Sequence, residues 1–173
     1  MSGELTTEVT ERNQFFAELA TGLEALRGRL TIISSPARTT APDTAYPWLW
    51  RYVRHLTVGV EQAAVQHAKL WAFHWKGKDA EWLELHVSST NLTMAAFKGQ
   101  LQAGWQATLR LEQKRRSLAH WGQLVPFLDA LGAAAGEHAT RSLADLTGLL
   151  SRATCPEGVT FIASIPGKRG AAR

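Results

Sequence analysis

Between Pro47 and Lys76 the apolar and aromatic positions fall at Leu49, Val53, Leu56, Val60, Ala63, His67, Leu70 and His74, with gaps of 4, 3, 4, 3, 4, 3 and 4. Such spacing lines one side of an α-helix. It predicts a long central helix that starts on Pro47, where a missing N–H costs nothing, and stops at Gly77. A first helix is expected over residues 8–29, on Phe15, Phe16, Leu19, Leu23, Leu26 and Leu30. Asp79 is placed to cap a third, carrying Trp82, Leu83, His86, Val87, Met94, Phe97 and Leu101 and running on past Trp105 and Leu109 to Lys114-Arg115-Arg116. Ser117 opens a fourth, with Leu118, Trp121, Leu124, Val125, Leu128 and Leu131, which Pro126 kinks or divides and Gly132 closes. A fifth covers residues 137–153.

Two short segments read differently. Residues 30–34 are β-branched and end at Ser35-Pro36, and residues 159–165 follow the turn Cys155-Pro156-Glu157-Gly158. They are expected to pair as a minor two-strand patch. Residues 35–46, with two prolines, read as a linker. The expected fold is all-α: a single bundle of about five helices around a long central one, over residues 1–165, with a basic tail at 166–173.

Composition supports a globular chain: 173 residues, 45% apolar and 20% charged. No apolar run approaches the ~18 residues of a membrane span, and Glu4, Glu8 and Glu11 stand where a secretory signal would be basic and apolar. One cysteine, Cys155, has no partner for a disulfide. A cytoplasmic location and no membrane contact are the expectations.

The net charge of +4 is unevenly spread. Residues 46–78 carry five Lys or Arg against Glu61, and residues 98–116 carry five against Glu112, while residues 79–97 hold three acids and no base. Two basic blocks on two predicted helices suit a polyanion. Candidate nucleic-acid contacts are Arg51, Arg54, Lys69, Lys98, Arg110, Lys114, Arg115 and Arg116, with Trp50, Trp71, Trp75 and Trp105 interleaved among them; of these, Trp71 and Trp105 are assigned to the core. Lys and Arg neutralise phosphate and aromatic rings offer faces to unstacked bases. Without a helix-turn-helix, zinc-finger or RNA-recognition signature, binding of the RNA or single-stranded DNA backbone is expected rather than base reading.

Enzymatic chemistry has no foothold in the motifs. There is no phosphate loop, no His-Glu-x-x-His and no Gly-x-Ser-x-Gly, so no catalytic residue and no cofactor is assigned. The stretch His74-Trp75-Lys76-Gly77 followed by Trp82-Leu83-Glu84-Leu85-His86 resembles the ferroxidase stretch of Dps-type mini-ferritins, with His74 and His86 at the matching positions. The family's carboxylate four residues after the second histidine is Thr90 here, and no Asp or Glu stands between Glu84 and Glu112. Iron oxidation needs hard oxygen ligands, so the likeness is taken as coincidence and no metal residue is carried over. In size, expected helicity, basic balance and lack of catalytic motifs the chain is similar to the small helical subunits of CRISPR effector complexes. The expectation is a non-enzymatic helical subunit that binds nucleic-acid backbone in a ribonucleoprotein assembly, beside other protein subunits and further copies of itself. The alternatives are a structural scaffold protein and a metal-binding bundle using His67, His74 and His86.

Overall fold

The structure, a computed structural model, describes residues 13–14, 17–35, 51–58, 68–89 and 101–163. Of these, 37% are helical and 28% lie in strands, which corrects the all-α helical bundle to a mixed α/β architecture. The chain divides into two units, Met1–Thr57 and Val58–Arg173.

In the first unit, helix α1 runs through residues 17–25. Gly28 follows at φ +72°, a left-handed conformation that glycine adopts without steric cost. Strand β1, Leu30–Ser34, is where the β-branched run placed it. Its partner is not residues 159–165 but β2, Val53–Thr57, in a parallel pair from Leu30↔Val53 to Ser34↔Thr57. Ser34 Oγ lies 2.8 Å from His55 Nε2 across this pair.

The second unit is built on an antiparallel meander: β3 (Leu70–Lys76), β4 (Glu81–Ser88) and β5 (Gly104–Arg110), in the order β3-β4-β5. Where they are described, the central helix and the one expected from Asp79 to Arg116 are thus corrected: Val53 and Leu56 lie in β2, Leu70 and His74 in β3, and Trp82 and Trp105 in β4 and β5, while Leu49, Val60, Ala63, His67, Met94 and Phe97 lie outside the described residues. The controlling pattern has period two. In β4, Leu83 and Leu85 are buried while Trp82, Glu84 and His86 point the other way. In β5, Trp105, Ala107 and Leu109 alternate with the exposed Gln106, Thr108 and Arg110. A strand alternates faces at every residue, so each strand sends one set of residues to the core and the other to solvent.

A 3-10 turn at Leu118–Trp121, with Ser117 as its cap, leads into α2 (Leu124–Ala135) and α3 (Glu137–Leu150). Pro126 neither kinks nor divides a helix. It is the third residue of α2, among the first N–H groups that have no intrahelical partner in any case. The break falls at Gly122 (φ +55°), and the stop falls at Gly136 (φ +91°) rather than Gly132. Gly132 is instead where α2 and α3 come together, since a Cβ there would sit 3.1 Å from Thr140 Cα.

The helical hairpin covers β4 and β5. Leu83, Leu85, Leu109 and Leu111 pack with Trp121, Leu124, Leu128, Leu150 and Ala153, each fully buried Leu contributing about 1.5–3 kcal/mol. Residues 159–163 form no strand. Phe161 meets Trp105 edge-on at 5.5 Å and Trp121 at 5.9 Å. Ala163 N–H donates to Gln123 Oε1 (2.8 Å). No helix among the described residues is long and apolar enough to cross a membrane. The basic tail at 166–173 lies outside the described residues.

Candidate functional site: the open face of the sheet

Register decides which side chains share the face opposite the helices. Trp71 pairs with His86, Phe73 with Glu84 and Trp75 with Trp82. Those β4 residues in turn pair with Gln106, Thr108 and Arg110 of β5. All nine therefore lie on one face, an aromatic column on β3 and a polar column on β5. The rings of β3 form a ladder: Trp71 to Phe73 is 6.3 Å between centroids and Phe73 to Trp75 is 6.2 Å, with planes within 29° and 27° of each other. Phe73 is 36% exposed, Trp75 55% and Trp82 37%. These neighbouring rings form an exposed apolar strip on the surface of the sheet.

Glu84 holds the ladder from its middle. Trp75 Nε1–H donates to Glu84 Oε2 (3.0 Å), and His86 Nε2 lies 2.7 Å from Glu84 Oε1. His86 also stands edge-on to Phe73 at 5.8 Å. The His86 ring and then the Trp75 N–H keep the Glu84 carboxyl below the usual carboxylate range, against the opposing effect of burial. Both its oxygens are engaged, so its acceptors serve the scaffold of the face.

Cations gather at one end of the sheet. Arg110 lies on the open face opposite Trp82, roughly 10 Å from β3 across two strand spacings. The next segment bears Lys114, Arg115 and Arg116, and it is a loop strapped down rather than part of a helix. Glu112 N–H donates to the Arg152 carbonyl (2.8 Å) and Arg116 N–H to the Ser151 carbonyl (2.7 Å). Arg152 Nε–H donates back to the Glu112 carbonyl (2.9 Å), while its Nη1–H reaches Glu81 Oε2 (2.8 Å) on β4. Arg152, and more weakly His74, hold the Glu81 carboxyl below its ordinary range. A cleft of about 530 Å³ opens here, lined by Lys78, Asp79, Glu81, Arg110, Glu112 and Arg152 among others.

Of the expected nucleic-acid residues, Arg110, Lys114 and Arg115 are exposed, and no ion pair engages them among the described residues. Arg116 is exposed but held by Glu112 at 2.6 Å. Lys69 is half-buried at the start of β3, and its carbonyl accepts from Ser88 N–H. Arg54 is on β2 and Arg51 just before it, both in the first unit, so they share no helix face. Lys98 lies outside the described residues. Among the described residues, then, the candidate cations of the two basic blocks lie on strands and in loops rather than along two α-helices.

Trp105 packs on the core as expected, but Trp71 belongs to the open face. Phe73, Trp82, Glu84 and His86 are not among the nucleic-acid candidates expected from the sequence. Their signal was aromatic residues at 71, 73 and 75, every second position, which a helical reading scatters around an axis. His74 and His86 stand on opposite faces of the sheet and cannot share an ion; His67 lies outside the described residues. Comparison of the chain with family models, with curated proteins and with solved structures finds no match.

Proposed function

We propose that the chain binds single-stranded nucleic acid on the open face of the β3-β4-β5 sheet. Bases stack on Trp71, Phe73, Trp75 and Trp82, and the phosphates run past Arg110 toward Lys114 and Arg115. The observation that carries this reading is the exposed ring ladder with the exposed Arg110 on the same face of the sheet. Its 6.2–6.3 Å steps are nearly twice the ~3.4 Å step of a stacked strand, so the ladder suits bases drawn apart and seated singly on rings. The role is one of binding rather than catalysis, since the carboxylate at the centre of the face is already engaged through both oxygens. The expected place of such a module is within a ribonucleoprotein assembly.

Fluorescence anisotropy of labelled single-stranded RNA and DNA across a salt series tests this. Each ring is worth about 1–3 kcal/mol of base stacking, so Trp75→Ala and Phe73→Ala are each expected to weaken binding about 10-fold or more without changing the salt slope. Lys114→Ala and Arg115→Ala are expected to weaken it and to reduce the slope by about 1 each. Weak binding that is flat with salt, or full affinity in the ring variants, overturns the proposal and leaves a scaffold role.

A further inference from the structure

Hydrogen-bond parity fixes what the outer edge of β3 offers. Gly77 N–H donates to the Ala80 carbonyl and Ser88 N–H to the Lys69 carbonyl, so the odd-numbered residues of β3 exchange main-chain bonds with β4. The even-numbered residues Leu70, Ala72, His74 and Lys76 direct their N–H and C=O groups outward. Among the described residues no strand meets them, and Ala72, His74 and Lys76 are exposed. A row of unpaired main-chain groups is a template for another strand.

The side chains on this edge specify which strand. Around Phe73 the rings are placed symmetrically: Trp71 and Trp75 lie two residues to either side, with Ala72 and His74 between them and Phe73. We propose that β3 pairs antiparallel with β3 of a second copy of this chain, about a two-fold axis at Phe73. The two three-stranded sheets then become one sheet of six strands.

In this register Phe73 meets its own counterpart at a pair without mutual hydrogen bonds, where Cα atoms approach to about 4.5 Å and side chains are closest. Trp71 faces Trp75 of the other copy, and aromatic pairs across strands are the stabilising unit of a sheet. On the other face Ala72 sits opposite His74, small against large. The even-numbered residues of the two strands exchange about eight main-chain bonds. An unrelated extended peptide would satisfy the main chain alone. A second copy also places ring against ring at the three odd positions, as an isologous two-fold contact does. The two ladders merge into one strip on the open face.

Lys69, Lys76 and Lys78 of both copies flank the two ends of this joint. Salt screens their mutual repulsion, so pairing strengthens with ionic strength. Nucleic-acid binding weakens under the same change, and the two proposals stand or fall separately.

Sedimentation velocity of the full chain, from low to high micromolar concentration and at low and high salt, is expected to show a monomer–dimer equilibrium that shifts to dimer as salt rises. In a Cys155→Ser background, Phe73→Cys is expected to cross-link two copies on mild oxidation, because 4.5 Å lies within disulfide reach. Trp75→Cys, whose counterpart is four residues off register and roughly 13 Å away, is expected to cross-link at least about tenfold more slowly. His74→Pro removes an outward N–H, which an edge strand tolerates. It is expected to keep the circular dichroism of the parent while losing the dimer, and its anisotropy titration reads nucleic-acid binding independently. A parent chain that stays monomeric throughout, equal cross-linking of the two cysteine variants, or an undiminished dimer in His74→Pro overturns the proposal.

Discussion

Trp121 shows how one side chain ties the elements of the second unit together. It is fully buried, and its Nε1–H donates to the Leu150 carbonyl (2.9 Å), one of the last carbonyls of α3, which have no partner inside the helix. Trp121→Phe keeps most of the buried area and loses the donor, so it is expected to cost about 1–2 kcal/mol in urea unfolding. Trp121→Ala also opens a cavity and is expected to cost about 3–5 kcal/mol. The carboxylates of β4 set an acid limit on stability. Glu81 is held low by Arg152 and His74, and Glu84 by His86 and Trp75. A carboxyl whose folded pKa lies below its unfolded one binds more protons when unfolded, so its contribution is present above the ordinary range near ~4.3 and fades as pH falls through the lower, folded value. The melting temperature is expected to drop over that acid window, and the drop is expected to be shallower in Glu81→Gln combined with Glu84→Gln.

At the scale of elements, two helices fall close to their expected ranges, and the strands that precede them stand where helices are expected. Residues 137–153 were expected helical and Glu137–Leu150 is α3. The fourth helix is present as a 3-10 turn and α2, with its break at Gly122. Its hairpin with α3 depends on Gly132, where any Cβ presses on Thr140 Cα at 3.1 Å. A backbone neighbour cannot rotate away as a side chain can, so Gly132→Val is expected to destabilise by about 1–3 kcal/mol, read as a shifted urea midpoint with the slope unchanged. For β3 and β4 the two periods competed. Leu70 and His74, four apart, satisfy a helical seam and also lie on one face of a strand. The discriminating residues were the intervening ones: Trp71, Phe73 and Trp75 on one side, and Leu83, Leu85 and Val87 against Trp82, Glu84 and His86.

At the scale of the whole molecule, Arg51 and Arg54 belong to one unit and Arg110, Lys114 and Arg115 to the other. The cations proposed to bind phosphate are Arg110, on the aromatic face at the end of β5, and Lys114 and Arg115 in the strapped loop that follows it. Helicity was one ground for the likeness to CRISPR small subunits, and a mixed α/β chain does not supply it. Charge remains informative at this scale because lysine and arginine are basic in any fold.

Composition and local chemistry were settled by the sequence alone: a globular chain with basic blocks, a β-branched strand at residues 30–34, a capping serine at 117 and a helix from about residue 137. These follow from side-chain charge, branching and capping, which act over a few residues. Tertiary structure decided the rest. A spacing of three and four is compatible with either element, and only pairing with Glu81–Ser88 committed Leu70–Lys76 to a strand. Once that register was set, alternate residues were forced to opposite faces, and three rings scattered by a helix became one ladder.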